Sequence, residues 1–370
     1  MSREPKVISA GEKTEKEGRV IKTRIMKAVG KMPDDREVME LSADIIKNGG
    51  LVAIPTETVY GLAGNALDPK ASGKIYKAKG RPSDNPLIVH IADIKDLKVL
   101  SPDIPENAYK LAEKFWPGPL TMILNKSEIV PKATTGGLDT VAVRMPSNEI
   151  AREFIRACGG FIAAPSANTS GRPSCTTALH VKEDLDGRIE LIIDGGDVGI
   201  GLESTIIDLT GAVPCLLRPG YISLEELISV VKNVDVDPVI AGKESRMPPK
   251  APGMKYRHYA PRGELTIISG EREKVISYIN EKTARAKKDG IKAAVLACSE
   301  NRACYDSALV YDAGSIYNEE EIAHNLFSVL RRFDEEGVQL IYSEEFNTPN
   351  IGMAIMNRLI KAAGNKIIKV

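Results

Sequence analysis

The sequence predicts two α/β units in one chain, a large mixed twisted-sheet unit followed by a small doubly wound parallel one. Three observations carry this. The chain has 370 residues and is 43% apolar, a size that ordinarily divides into two domains. Through its first part, short β-rich runs outnumber the helical patterns between them, which suits a mixed sheet. Beyond a proline-rich basic stretch, strands and helices alternate strictly, as parallel crossovers require.

Residues 1–18 are polar, of mixed charge and without a period, and read as a disordered tail. From Val20 to Met26 apolar and basic residues alternate as in an edge strand. A helix is predicted over Asp34 to Lys47, with Val38, Leu41, Ile45 and Ile46 at helical spacing, and Asn48-Gly49-Gly50 stops it. Strands follow at Leu51–Ile54, Leu87–Ile91, Leu120–Leu124, Val141–Met145, Phe161–Ala164, Leu191–Ile193, Ser204–Leu209 and Pro214–Leu217. Helices fit between them. One runs from Pro69 to Lys79, with Asp68 as N-cap and proline in the first turn, and another from Pro105 to Phe115. A helix at Ser223–Val231 closes this unit, which spans 19–240.

The 22 residues from Ala241 to Arg262 hold four prolines and six Lys/Arg against one Glu, with no apolar period, and form the linker. The second unit, 263–370, reads as strand Leu265–Ile268, helix Glu271–Lys288, strands Ala293–Ala297 and Ala308–Tyr311, helix Asn318–Glu336, strand Gln339–Tyr342 and helix Ile351–Ala363.

With 50 Lys+Arg against 50 Asp+Glu, the chain has no global field to draw it to nucleic acid or an anionic membrane. No window approaches 18 uninterrupted apolar residues and the N-terminus lacks a signal-like apolar stretch, so a cytoplasmic location with no membrane is expected. Five cysteines without CxxC spacing read as reduced thiols, mostly packing. Four scattered histidines argue against a transition metal held by protein side chains.

Five polar or Gly/Pro-rich segments cluster where the first unit's strands end, which is where open α/β sheets bind ligands. Pro55–Ala66, PTETVYGLAGNA, offers the hydroxyls of Thr56, Thr58 and Tyr60, with Gly61 and Gly64 to let a ligand approach; a plain turn is the alternative. Tyr76–Ile91, YKAKGRPSDNPLIVHI, places Lys79, Arg81 and Asn85 on a proline-fixed loop ahead of His90. Fixed cations there suit a polyphosphate, although a solvated helix end and a core histidine read equally simply. In TVAVRMP, Thr140–Pro146, Arg144 interrupts an apolar strand, so it must meet a substrate carboxylate or an internal acid. Ala163–Ser174, AAPSANTSGRPS, is rich in phosphate-binding hydroxyls. GLESTIID, Gly201–Asp208, is followed by LLRPG, Leu216–Gly220. Its glycine spacing fails as a dinucleotide fingerprint because a β-rich run follows. Walker A, GxSxG and HExxH patterns are absent, which removes P-loop transfer, α/β-hydrolase chemistry and zincin proteolysis.

In this order, with WPGPLT between them, these segments resemble the YrdC-like domain of threonylcarbamoyl-AMP synthases over about 200 residues. APGMKYRHYAP, Ala251–Pro261, resembles the linker of the longer members, whose C-terminal domain is Rossmann-like. One departure is local: in Gly61–Ala66 the second glycine falls one place later than in the family, leaving the shape of that turn open.

The resemblance implies condensation of L-threonine, bicarbonate and ATP, with Mg2+, to threonylcarbamoyl-AMP and pyrophosphate, for the N6-threonylcarbamoyl modification of tRNA. It implies no protein nucleophile. Carried over motif by motif, the threonine side comprises Thr58, His90, Arg144, Ala164 and Ser204. The ATP side comprises Lys79, Arg81, Asn85, Thr140, Ser166, Ser174 and Arg218, with Tyr256 contributed by the linker. The basic and aromatic run Lys255–Tyr259 is more than a plain spacer needs, so the linker is expected to fold over the pocket as a lid, a basic spacer lying in solvent being the alternative. A tRNA-modifying complex would receive the product, and direct tRNA contact would be weak. Two rival readings stay open. An RNA-binding module has little stacking surface to work with, given one tryptophan and six phenylalanines. A carbamoyltransferase of the hydrogenase-maturation kind would carry cysteine-rich zinc modules, which are missing.

Overall fold

The computed structural model describes residues 21–240, 250–251, 258–306 and 309–370. The first sheet is built from β1 (Arg24–Lys27), α1 (Arg36–Lys47), β2 (Val52–Ile54), β3 (Gly61–Asn65), α2 (Pro69–Lys79), β4 (Ile88–His90), α3 (Leu97–Leu100), α4 (Glu106–Phe115), β5 (Leu120–Asn125), β6 (Thr140–Arg144), α5 (Glu149–Ala157), β7 (Ile162–Ala163), α6 (Ala178–Leu185), β8 (Leu191–Asp194), β9 (Thr205–Asp208), β10 (Cys215–Arg218), α7 (Leu224–Val231) and β11 (Asp235–Val236). Its eleven strands run in the order β1-β8-β2-β3-β7-β4-β6-β5-β9-β10-β11, with parallel and antiparallel pairs intermixed.

Local chemistry sets the helices. The Asp68 side chain accepts from the Lys70 amide at the start of α2, Pro69 sits in the first turn, and Gly80 ends the helix at φ 63°, so that the Arg81 amide turns back to the Tyr76 carbonyl. Ser223 and Glu226 cap α7 reciprocally. The segment expected to turn at Gly61 is instead strand β3, antiparallel to β2. Neither Gly61 nor Gly64 has positive φ; an added Cβ at Gly64 would come within 3.1 Å of Ile75 and Leu51, so the glycine serves packing rather than turning.

Strand alternation sorts the side chains onto two faces. One face, carrying Ala53, Leu62, Val89, Met122 and Val143, is buried under α2, α4, α6 and α7. The opposite face divides. Val52, Ile54, Ala63, Ile162 and Leu191 are covered by α1 and α5. Ile88, Ile123, Ala142, Ile206 and Leu217 form a separate apolar cluster against which, among the described residues, no helix packs; Ala251 of the linker lies on it. Beside it Lys250 pairs with Asp208 at 2.9 Å.

The second sheet comprises β12 (Glu264–Ser269), α8 (Arg272–Lys288), β13 (Ala293–Ala297), β14 (Val310–Asp312), α9 (Glu319–Glu335), β15 (Leu340–Glu344), α10 (Gly352–Ala362) and β16 (Ile367–Lys369). All its pairs are parallel, in the order β14-β13-β15-β12-β16. Ile268, Val295 and Ala297 pack with α8, while Leu265, Ile267, Ala294 and Leu296 pack with α9 and α10, so both faces are covered as doubly wound sheets require.

Helices α9 and α10 also face the first unit, where Val59 and Leu202, with Tyr259 of the linker, join their apolar cluster. At Gly201 (φ 84°) a Cβ would come within 2.6 Å of the α9 backbone, so only glycine allows this approach. Arg331 of α9, with no exposed side-chain surface, grips Asp184 at 3.0 and 3.1 Å and the Pro173 carbonyl at 2.6 Å. Burial alone would push the Asp184 carboxyl up. The hydrogen bond and charge of Arg331, with help from the Thr169 amide and Arg172, outweigh it and hold the carboxyl below its ordinary value.

Asp184→Ala is therefore expected to destabilise the full chain by about 3–5 kcal/mol, since it strands a buried guanidinium. Because folding depresses this carboxyl's pKa, its contribution is present above the unfolded value of about 3.9 and is lost as pH falls through the depressed folded value. Urea unfolding of both proteins between pH 7 and 2 checks this: the gap must narrow at the acid end.

Candidate active site

The helix-free half-face carries a polar row at one end. His90 and Arg144 are register partners across β4 and β6, and Thr121 is the partner of Arg144 across β5 and β6. Ser204, just ahead of β9, continues the row, its hydroxyl 2.7 Å from that of Thr121. All four are nearly fully buried. The loop between β2 and β3 folds over them. Thr56 and Thr58 share a hydroxyl contact of 2.9 Å, and Arg144 donates from Nη1 to Thr58 Oγ1 at 2.8 Å.

Arg144 also meets an internal acid. Its Nη2 lies 2.7 Å from Glu57 Oε1, but neither that nitrogen nor the Glu57 carboxylate has an aligned hydrogen bond. The contact is Coulombic and leaves a guanidinium donor for a ligand. The Nδ1 of His90 is 3.2 Å from the Ile88 carbonyl oxygen. Burial, then the Arg144 charge, lowers its pKa to about 3, so the ring is neutral at physiological pH.

The pocket is lined by Thr58, His90, Arg144, Ala164 and Ser204, the whole expected threonine side, and by Arg81, Ser166 and Arg218 of the expected ATP side. Arg218 donates to the Ser204 carbonyl at 2.9 and 3.1 Å and to its hydroxyl at 3.2 Å. Arg81 is held by the carbonyls of Asn85 and Pro86. Burial lowers both arginines to about 10, which leaves them cationic at neutral pH.

Four expected ATP residues do not line the cavity. The Lys79 ammonium is turned into the backbone carbonyls of Ser166 and Asn168, and burial, with the charge of Arg81, lowers its pKa to about 7. Asn85 meets Arg81 through its backbone, its own Oδ1 being buried without a partner. Ser174 is buried and donates to Glu203. Thr140 is on the face of Arg144 but at the far end of β6. Tyr256 lies outside the described residues; from the same segment His258 and Tyr259 do line the pocket. Glu57, which meets Arg144, and Glu203, which lines the pocket, were not singled out from the sequence, although they sit inside the quoted motifs. Sequence patterning attached no chemistry to an acid flanked by threonines or by Leu202 and Ser204.

Fold and pocket together define a class: a YrdC-like sheet with a cleft lined by Arg81, Arg144 and Arg218, joined to a Rossmann-like unit. A family model named Sua5_yciO_yrdC, described as telomere recombination, matches residues 44–220, and one described as the C-terminal domain of threonylcarbamoyl-AMP synthase matches 222–364. The threonylcarbamoyl-AMP synthase of Pyrococcus abyssi is 52% identical over 90% of this chain and 96% of its own length; that of Bacillus subtilis is 45% identical over 91% and 95%. The crystal structure of P. abyssi Sua5 complexed with L-threonine superposes with a TM-score of 0.87 at 50% identity, covering 95% of this chain and 99% of that one. The chain belongs to the threonylcarbamoyl-AMP synthase family.

Because folding lowers the His90 pKa, the unfolded state takes up the proton first, and this site's contribution to stability declines as pH falls below about 6.5. His90 ring resonances in the folded protein are expected to show no titration between pH 5 and 8. An NMR inflection near 6.5 assigned to His90 would contradict this.

Proposed function

We propose that the chain condenses L-threonine, bicarbonate and ATP into threonylcarbamoyl-AMP, with release of pyrophosphate. The observation that carries this reading is one cavity bearing Arg144, Thr58, His90 and Ser204 together with Arg81, Ser166 and Arg218. The threonine amine adds to bicarbonate with loss of water to give a carbamate, whose oxygen attacks the α-phosphorus of ATP and expels pyrophosphate. Arg144 holds the threonine carboxylate through the donor that Glu57 leaves unsatisfied. Neutral His90 and the hydroxyls of Thr58 and Ser204 orient the amino acid, and the Ala164 backbone bounds it. Arg81 and Arg218 neutralise charge developing on the phosphates.

Lys79, Asn85 and Ser174 act behind the cavity wall, fixing the Ser166 loop and the Arg81 loop. Among the described residues no group of three His, Cys, Asp or Glu could hold a metal ion. That donor set fits a Mg2+ that arrives with ATP, supplying charge neutralisation, held by phosphate oxygens and water. The product would pass to a tRNA-modifying complex. Among the described residues no helix is long and apolar enough to cross a membrane.

Mass spectrometry of ATP, bicarbonate and threonine incubated with the protein should find threonylcarbamoyl-AMP; its absence rejects the reading. Arg144→Ala is expected to raise the threonine KM by at least about 100-fold with ATP affinity nearly intact, because a buried charge-assisted pair broken on one side costs several kcal/mol. Arg81→Ala should reverse the pattern, weakening ATP binding and slowing pyrophosphate release.

The linker acts as a lid. Ala251 covers the apolar face and Tyr259, at φ 64°, packs 5.1 Å from Phe327 while lining the pocket. Closing the site keeps water from the mixed anhydride. ATP plus threonine should slow protease cleavage at Lys255 severalfold; equal rates with and without both ligands reject the lid.

A further inference from the structure

Arg358 of α10 belongs to the second unit, has no exposed side-chain surface, and spends its guanidinium on the first unit's active-site backbone. Its Nε donates to Glu203 Oε2 at 3.0 Å and its Nη2 to the Glu203 carbonyl at 3.1 Å. Its Nη1 donates to the Pro219 carbonyl. Glu203 immediately precedes Ser204, and Pro219 immediately follows Arg218, the two residues whose mutual hydrogen bonds form one wall of the pocket. The other oxygen of Glu203 accepts from the Ser174 hydroxyl, so the same carboxylate ties the serine-rich loop to this wall. Burial alone would raise the Glu203 pKa, but the charges of Arg358 and Arg218, with the Ser174 bond, hold it low and keep it ionised.

We propose that Arg358 is a positioning residue for the adenylating site: the second unit sets the spacing between Ser204, Arg218 and Ser174 through one guanidinium fork. This rests on the functional reading above. A planar fork presents its donors from three separate nitrogens, so it can span a carboxylate and two carbonyls set apart from one another; the three donors of an ammonium diverge from a single nitrogen and cannot reproduce that spread. The second unit is on this account a template for the site and not only an attachment point for the lid. The coupling is reciprocal, so ligands that favour the ordered wall must also favour the docked α10.

Arg358→Lys in the full chain keeps a cation beside Glu203 and removes the fork. With unfolding midpoint and chromatographic size retained, it is expected to lose about tenfold or more in kcat, with KM for threonine and ATP changed less than kcat. Adding Glu203→Gln to it should lose little more, because both changes break one unit. Glu320→Ala, which removes the exposed inter-unit bond from Tyr221 at 2.6 Å, should keep full activity. A folded Arg358→Lys protein with wild-type kcat overturns the proposal, as does a Glu320→Ala loss of equal size, which would make inter-unit contact in general the cause. If Arg358→Lys fails to fold, hydrogen exchange of the wild-type protein decides: ATP plus threonine must slow the amides of 352–362, and unchanged exchange there overturns it. A wild-type protein that forms no adenylate sinks the functional reading itself and this proposal with it, whereas an active wild type isolates the fate of Arg358.

Discussion

Guanidinium groups taken out of water must find carboxylates or carbonyls, and the architecture of this protein depends on how four of them do so. Arg144 and Arg218 stand in the pocket wall, Arg358 reaches that wall from α10, and Arg331 of α9 grips the Pro173 carbonyl and Asp184 outside the pocket lining. None could be buried by apolar packing alone. Each therefore fixes a loop: Thr58 and Gly118 by Arg144, Ser204 by Arg218, Pro173 and Ser174 by Arg331, Glu203 and Pro219 by Arg358. Backbone that a short turn would leave mobile is held by charge-assisted hydrogen bonds, roughly twice as strong as neutral ones.

The second constraint is the uneven covering of the large sheet. Helices protect one face throughout and half of the other; against the remaining half-face no helix packs among the described residues, and it carries a buried apolar cluster joined by Ala251, with a polar row at its end. Ala251, His258 and Tyr259 bring the connecting segment to the same place, so cluster, row and cover come from three separate stretches of chain.

Strand alternation, Asp68 as a cap, the helix beginning near Ser223 and the order of the motifs were readable because each depends on neighbours a few residues away. Local pattern reading left a turn open at Gly61–Asn65, where the chain is strand β3; Gly64 makes room for Ile75 and Leu51, while Gly61 lies against Ala164 and lines the pocket. It also placed Lys79 with Arg81 as if both faced a ligand. The structure instead spends the Lys79 ammonium on the carbonyls of Ser166 and Asn168, a contact across nearly ninety residues that no local pattern encodes.

By itself, the sequence determined most of the strands and the longer helices, though not β3, α5 or α6, that a parallel α/β unit follows a mixed one, and which family the ordered motifs resemble. An apolar period reports that a face is buried, and a charged residue within it reports that a partner exists. Only the tertiary structure decided which partner. Glu57 meets Arg144 across 87 residues of chain and Glu203 meets Arg358 across 155, because those distances are set by how sheets and helices stack rather than by spacing along the backbone. Which half-face lacks a covering helix among the described residues was decided the same way, by where α1 and α5 pack and where they stop.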